Sequence, residues 1–287
     1  MKHNFSSLKP LLSRIDLVTW DCDGTLVDNE ARALDVIREE INRFVKKVAD
    51  PDIQEQYRDA GVDCCRQYAG MSLPQIRAVV GRLVGVEIPE SVDHAIVQRR
   101  LRSPEPEEQV RPVQILAELA TFFNQHNVPQ IVVTSSERDR AMRYITAAKL
   151  HHLFDREKQW LVSGHDDFTP PKHKPRPDAH RMGRELFAAH PARTLGLEDS
   201  LAGVHAGAAD GIPTIGHLLA SHIADHRKSD IASQMMAAGA AAIVYKPSDL
   251  VGALGEILNR MPARPGQQTN AVQTYPNLRV VGGRDYV

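Results

Sequence analysis

The stretch DCDGTLVD, residues 21–28, is the most informative part of this 287-residue chain. It follows the apolar run from Ile15 to Trp20, a pattern typical of a short buried strand. Asp21 and Asp23 then lie two residues apart at the end of that strand, where like charges repel unless a proton or a cation lies between them. A divalent metal would resolve the repulsion, and hard oxygen ligands suit Mg²⁺. The alternative is an ordinary turn, because Asp-Gly is a common turn dipeptide, and the octapeptide alone leaves both interpretations open.

The composition is that of an ordinary globular chain, with 42% hydrophobic and 25% charged residues. The net charge of −1 and a pI near 6.9 provide no overall field that would attract nucleic acid or an anionic membrane. No apolar stretch approaches the ~20 residues that span a bilayer, and the first 14 residues lack the apolar run of a signal peptide. Three cysteines cannot form a disulfide framework. We therefore expect a cytoplasmic protein without a nucleic-acid or membrane partner; the oligomeric state is left open.

The chain after residue 28 changes to a helical pattern. Apolar residues recur at intervals of three and four between Leu34 and Val48, and again between Ile76 and Val84. The stretch 102–112 carries three prolines and many charges, which is typical of a linker. We therefore predict a helical cap at residues 29–108, inserted into a catalytic core formed by residues 1–28 and 109–261.

Beyond this insertion, short apolar strands alternate with helical stretches, which indicates an α/β fold with a Rossmann-like parallel sheet covered on both faces. Ligands bind beyond the carboxyl ends of the strands in such sheets. Residues 262–287 lose the periodicity and are predicted to form a flexible tail. The five strands predicted after the first are 131–133, 160–162, 194–197, 212–215 and 242–245.

Four short motifs follow one another along the chain in an order that is far more specific than any one of them. Together they resemble the haloacid dehalogenase superfamily of phosphohydrolases, and most closely the branch that contains phosphoglycolate phosphatase, β-phosphoglucomutase and sugar-phosphate phosphatases. The resemblance extends from about residue 15 to about residue 247 and includes the position of the helical cap. The motifs are DCDGT at 21–25, TSS at 134–136, KPRPD at 174–178 and EDSLAG at 198–203.

The resemblance implies a role for each acidic residue. Asp21 is expected to attack phosphorus and to form an aspartyl-phosphate. Asp23 is expected to protonate the leaving alkoxide and then to accept a proton from the hydrolytic water. Asp21, the backbone carbonyl of Asp23, and Asp199 would hold Mg²⁺. Glu198 is either a direct metal partner or lies just outside the ligand set, and the second interpretation is favoured.

The phosphate is expected to contact the Thr134 hydroxyl, the backbone amides of Ser135 and Ser136 at the start of a helix, and the charge of Lys174. Each assignment has a simpler explanation that competes with it. The Thr-Ser-Ser motif could only cap the helix that follows it. Either Lys174 or Lys172 could be solvated, although the prolines around Lys174 match the family pattern. Asp199-Ser200 would ordinarily be a helix N-cap.

Asp23 and several cap residues also help to distinguish between the reactions that members of this superfamily catalyse. Haloacid dehalogenases lack the second aspartate, so Asp23 argues against that activity. Phosphonatases use a cap lysine as a Schiff base, and Lys46 and Lys47 show no buried context. β-Phosphoglucomutase has basic residues around its cap glycine, whereas Ala69 and Leu73 stand near Gly70. Hydrolysis of a small phosphorylated metabolite is therefore predicted: a sugar phosphate, a 6-phosphogluconate-like compound or phosphoglycolate.

Two further functions remain open, namely a mutase of the β-phosphoglucomutase type and a non-catalytic phospho-ligand-binding or regulatory protein on the same fold. The segment 217–241 is longer than such a connection requires, and it could be an interaction element or a peripheral helix. Substrate specificity is assigned to a cap loop that should descend over the site, at Arg66, Gly70, Met71 and Ser72.

Overall fold

The computed structural model of the chain describes residues 3–48, 50–55, 73–102, 110–154 and 159–264. A six-stranded parallel sheet lies at the centre of these residues, with the strands in the order β3-β2-β1-β4-β5-β6. This arrangement confirms the predicted α/β fold with a parallel sheet. The strands are β1 Leu17–Trp20, β2 Gln130–Thr134, β3 Leu161–Ser163, β4 Thr194–Glu198, β5 Thr214–His217 and β6 Ala242–Val244.

Helices cover both faces of the sheet, and alternate residues of β1 show how. Val18 and Trp20 face the main hydrophobic cluster, where Phe123 packs against Trp20. Leu17 belongs instead to a smaller cluster with Ala179 on the opposite face. The helices are α1 Glu30–Val48, α2 Leu73–Val84, α3 Glu90–Arg102, α4 Gln114–Gln125, α5 Arg138–Ala147, α6 Asp178–Leu186, α7 Leu201–Ala209, α8 Lys228–Ala237 and α9 Leu250–Arg260.

Helices α1, α2 and α3 pack on one another around their own hydrophobic cluster, which includes Ile41, Val80 and Ile96. This cluster shares no residue with the clusters beside the sheet. The two connections to the sheet run side by side, because the Asp28 N–H donates to the Arg111 carbonyl and the Val113 N–H donates to the Leu26 carbonyl. The sequence predicted a linker from residue 102, and α3 ends there. The domain boundaries stay predictions.

The predicted strands agree with the structure to within two residues, and the largest shift is at β5, which begins at Thr214 rather than at residue 212. Pro213 has no N–H to donate, and only its carbonyl accepts a hydrogen bond, from Gly196. Contacts of the sheet domain also extend past the predicted boundary at 261. Arg264 donates hydrogen bonds to the Asp16 carboxylate and to the Ile15 carbonyl.

Residues 265–287, most of the predicted tail, lie outside the described part of the chain. At the other end, a 3-10 helix, Ser6–Arg14, packs beside α9, and Arg14 donates to the carbonyls of Asn259 and Met261. Among the described helices, none is both long and apolar enough to cross a membrane.

Candidate active site

The motif DCDGTLVD forms a tight loop at the carboxyl end of β1. The Asp21 N–H donates to the Leu197 carbonyl of β4, which continues the parallel pairing by one residue. The loop then closes on itself, because the Val27 N–H donates to the Cys22 carbonyl and the Gly24 N–H donates to the Val27 carbonyl. Gly24 has a φ of +82°, a backbone conformation that glycine adopts without strain. The loop thus holds Asp21 at the sheet edge that the sequence predicts.

Lys174 lies between two buried carboxylates in this site. Its Nζ is 2.5 Å from Asp21 Oδ1 and 2.8 Å from Glu198 Oε1, and its side chain is only 5% exposed. The Glu198 carboxylate also contacts His180 Nε2 at 3.2 Å from α6. Glu198 is therefore held by two neighbours, and Lys174 connects the third motif to the first and the fourth.

Asp199 follows β4 and faces the loop after β1. Its Oδ1 accepts a hydrogen bond from the Thr25 hydroxyl at 3.4 Å, and its Oδ2 lies 3.5 Å from His222 Nε2. A side chain at position 24 would overlap this carboxylate, since a Cβ there would be 2.7 Å from Asp199 Cγ and closer still to Oδ2. Position 24 thus requires glycine both for its φ and for the space that Asp199 occupies.

The Asp23 side chain is held by partners of its own. Its Oδ2 accepts a hydrogen bond from the Ser136 hydroxyl at 2.6 Å. Its Oδ1 accepts from the Asn29 amide at 2.5 Å and from the Arg140 guanidinium at 3.1 Å. The Asp23 carboxylate is therefore tied to the start of α5 and to the residue that precedes α1.

The second motif follows β2, the strand next to β1, and so lies at the same edge of the sheet. The Thr134 hydroxyl accepts the Ser136 N–H at 3.0 Å, and the Ser135 hydroxyl accepts the Lys174 N–H at 3.0 Å. Glu137 is the N-cap residue of α5 and makes no side-chain capping hydrogen bond, and the Asp166 carboxylate accepts the Arg138 N–H. The hydroxyls of Ser135 and Ser136 contact Lys174 and Asp23 instead.

The contacts also identify the lysine that serves this site and the residue that caps α7. Lys172 pairs with Asp178 at 2.5 Å, so Lys174 is the lysine that reaches Asp21. Ser200, rather than Asp199, is the N-cap of α7, because its hydroxyl accepts the Gly203 N–H. The Asp199 carboxylate faces the loop after β1 instead.

The charges in this site are strongly coupled. Burial, together with the charges of Glu198 and Asp23, raises the pKa of Asp21 to about 8, although Lys174 opposes the shift. Burial alone would also raise the pKa of Glu198, but Lys174 and His180 hold it below its usual value. Burial opposes the charge on Lys174, yet Asp21 and Glu198 raise the pKa of that lysine above its ordinary range. Lys174 thus faces two carboxylates, those of Asp21 and Glu198, with a single positive charge.

The arrangement fits a divalent metal ion. Asp21, Glu198 and Asp199 each offer a carboxylate oxygen, and these oxygens lie within 4.8 Å of one another. Glu198 Oε2 is buried and has no hydrogen-bond partner among the described residues. Three carboxylates against one lysine leave a net negative charge, and oxygen donors are those that Mg²⁺ prefers.

The sequence did not indicate some of the residues that form this site, and some residues that it did predict lie outside the described part of the chain. Arg140, Asn29 and His222 contact the predicted aspartates, but each is an isolated polar residue without motif spacing.

Cys22 is buried, and this burial together with the charges of Asp23 and Asp21 raises the pKa of its thiol. The predicted specificity residues of the cap lie outside the described residues, namely Arg66, Gly70, Met71 and Ser72.

Comparison with known proteins gives one family and many similar folds. The family model described as haloacid dehalogenase-like hydrolase matches residues 18–217. A conserved haloacid dehalogenase-like protein of unknown function from Agrobacterium tumefaciens is 24% identical, with a TM-score of 0.62, and the match covers 85% of this chain and 99% of that one.

Two further solved structures share the fold. A haloacid dehalogenase family hydrolase from Deinococcus radiodurans, solved with bound phosphate and sodium, is 21% identical with a TM-score of 0.61. That match covers 85% of this chain and 97% of the other. A predicted phosphoglycolate phosphatase from Haemophilus somnus is 18% identical with a TM-score of 0.57, over 83% of this chain and 97% of that one.

Proposed function

The chain belongs to the haloacid dehalogenase-like hydrolases, and we propose that it is a Mg²⁺-dependent phosphatase of small organic phosphomonoesters. The candidate substrates are sugar phosphates, 6-phosphogluconate-like compounds and phosphoglycolate. The observation that carries the proposal is the position of Asp21, whose carboxylate lies beside Lys174 in a cluster with Glu198 and Asp199.

Asp21 has the properties of a nucleophile for phosphoryl transfer. One carboxylate oxygen would attack phosphorus while the bond from phosphorus to the leaving alkoxide breaks, which gives an aspartyl-phosphate. Lys174 is a compact charge 2.5 Å from Asp21 Oδ1, so it would reduce repulsion between this carboxylate and an incoming phosphoryl group. Thr134 and the Ser135 amide, at the end of the neighbouring strand, would bind phosphoryl oxygens.

Asp23 would act as the acid and then as the base. It would donate a proton to the leaving alkoxide, and it would later take a proton from the water that attacks the aspartyl-phosphate and releases inorganic phosphate. Its contacts with Ser136, Asn29 and Arg140 hold the carboxylate in one orientation. Since no alkoxide leaves during dehalogenation, a held carboxylate at this position supports phosphate-ester hydrolysis instead.

Mg²⁺ would be held by Asp21, Asp199 and the backbone carbonyl of Asp23, with Glu198 as either a further ligand or a neighbour. The metal would supply positive charge that offsets repulsion between the carboxylates and the phosphoryl oxygens. Because Glu198 already contacts Lys174 and His180, we favour a role for it in holding Lys174. The mutase function depends on the cap loop, which lies outside the described residues, and no contact in the described part of the chain favours it.

The proposal is tested by phosphate release from a panel of small phosphomonoesters, with Mg²⁺ and with excess EDTA. We expect release that requires Mg²⁺ and that disappears in the Asp21→Asn variant, because an amide cannot form the aspartyl-phosphate. A matched control is Asp178→Asn, since Asp178 lies near the site but pairs with Lys172 and Arg176. Full turnover in EDTA, or wild-type turnover of Asp21→Asn, would contradict the proposal.

A further inference from the structure

The segment that begins at His217 brings two buried histidines to the loop after β1. His217 is the last residue of β5, and His222 lies five residues further along the chain. Both are almost fully buried, at 0% and 3% exposure. A buried histidine has a cost in free energy, because burial disfavours its charged form and its ring nitrogens then require hydrogen-bond partners within the protein. The first residues of the long 217–241 segment thus belong to the candidate active site.

His217 supports Asp199 through Thr25. Its Nε2 lies 3.0 Å from the Thr25 hydroxyl, which in turn lies 3.4 Å from Asp199 Oδ1. Burial lowers the pKa of His217 to about 3, with His222 adding to the shift and Glu198 opposing it, so the ring is neutral. A neutral ring with its proton on Nε2 donates to Thr25, and the Thr25 hydroxyl is then oriented to donate to Asp199. One oxygen of Asp199 is accounted for by this chain of contacts.

His222 faces the other oxygen of the same carboxylate. Its Nε2 is 3.5 Å from Asp199 Oδ2, and its Cε1 is 3.1 Å from the place that a Cβ on Gly24 would occupy. His222 and Thr25 therefore contact different oxygens of the Asp199 carboxylate. Because Gly24 has no side chain, the ring and the carboxylate both fit against the backbone of the motif loop.

The loop that carries His222 is anchored on both sides of it. Ala220 and Ile223 are buried in the hydrophobic cluster around α8. The Ser221 N–H and hydroxyl both donate to Asp28 Oδ1, at 3.0 and 2.8 Å. Asp28 ends the motif loop and stands where the chain enters the helical insertion. The position of the His222 ring is thus determined by packing from β5 and α8 and by the motif loop itself.

We propose that His222 is a positioning residue for Asp199: it fixes the rotation of this metal-binding carboxylate so that its ligand oxygen is already oriented when Mg²⁺ arrives. The inference rests on the proposed metal site. Ligand carboxylates are commonly held by hydrogen-bonding neighbours, and loss of such a neighbour typically weakens metal binding about 10- to 100-fold. Here Thr25 lies at one oxygen of the Asp199 carboxylate and His222 at the other, so the two neighbours together oppose its rotation.

The test is the affinity for Mg²⁺, measured by isothermal titration calorimetry without substrate. His222→Leu removes the ring nitrogen but keeps an apolar side chain, and we expect the dissociation constant to rise about 10- to 100-fold. His222→Gln keeps an amide N–H near the position of Nε2, and we expect an affinity within a few-fold of wild type. His222→Asn ends short of that position and should behave like the leucine variant. His226→Leu is the matched control, because His226 is exposed in the same segment.

The pattern of these affinities decides the inference. Circular dichroism and melting without metal establish that each variant is folded; if His222→Leu does not fold, the comparison of the glutamine and asparagine variants decides. Wild-type affinity in the leucine and asparagine variants would overturn the inference, and so would equal weakening in all three variants, which would indicate packing alone. A wild-type protein that binds no Mg²⁺ would overturn it as well. A His222-dependent affinity in a protein that releases no phosphate would reject only the proposed phosphatase.

Discussion

The Gly24→Ala substitution tests the geometry of the site most directly, because two separate penalties meet at this position. The backbone φ of +82° is one that a residue with a Cβ rarely adopts. The added methyl group would also lie 2.7 Å from Asp199 Cγ, which is tighter than carbon atoms tolerate. The first penalty acts on folding and the second on the position of a proposed metal ligand.

The expected magnitudes follow from these distances. Left-handed backbone at a residue with a Cβ costs about 1–2 kcal/mol, which lowers the melting temperature by ~2–4 °C per kcal/mol in a domain of this size. To restore an ordinary separation of ~3.5–4.0 Å, the Asp199 carboxylate must move away by about 1 Å. Displacement of that size at a reacting centre reduces turnover about 10²-fold. We therefore expect a modest loss of stability together with a large loss of Mg²⁺ affinity and phosphatase activity.

Gly211→Ala separates the two penalties. Gly211 has a φ of +74°, but a Cβ there would meet only Pro191, at 3.7 Å, an ordinary contact. Gly211→Ala should lose ~1–2 kcal/mol in the free energy of unfolding, measured in urea without metal, on account of backbone strain. Gly24→Ala should lose at least as much, because the overlap with Asp199 adds to the strain. Only Gly24→Ala should lose Mg²⁺ binding in calorimetry and phosphate release at saturating Mg²⁺. If Gly24→Ala kept the metal affinity and turnover of Gly211→Ala, the tight packing of Asp199 on the motif loop would not describe the active protein.

Three further expectations concern Lys174, the cap and Asp16. Lys174→Met should reduce kcat/KM by at least ~10²-fold, and by a similar factor for every phosphomonoester. Substitution of Arg66 or Met71 should instead change the ratios of kcat/KM between substrates. Uniform losses from the cap variants would contradict the placement of substrate specificity in the cap. Burial raises the pKa of Asp16, but Arg193 and neighbouring donors outweigh it and leave this pKa below its usual value. The stability that this carboxylate contributes is present above its unfolded pKa of ~3.9 and is lost as pH falls through its folded pKa. Asp16→Asn should therefore lower the free energy of unfolding by ~1–3 kcal/mol at pH 7 and by progressively less below pH 4, as measured in urea titrations. A difference that did not change with pH would argue against this ion pair.

The sequence by itself determined the α/β fold and the edge of the sheet at which the motifs meet. Strands are short apolar runs, so their positions can be read from neighbouring residues. Parallel strands bring their carboxyl ends to one edge, and this is enough to gather residues after β1, β2 and β4. Lys174 required more than this rule, because it lies in a loop and was assigned through the family resemblance.

Only the tertiary structure decided which side chains touch within that edge. The contact of His217 with Thr25 spans 192 positions of the chain, and that of Arg140 with Asp23 spans 117. Neither His217 nor His222 stands in a motif, so no pattern in the sequence indicates that the loop folds back onto Asp199. The physical reason is that hydrophobic periodicity is set by neighbours along the chain, whereas a buried polar contact depends on how separate loops pack against one another.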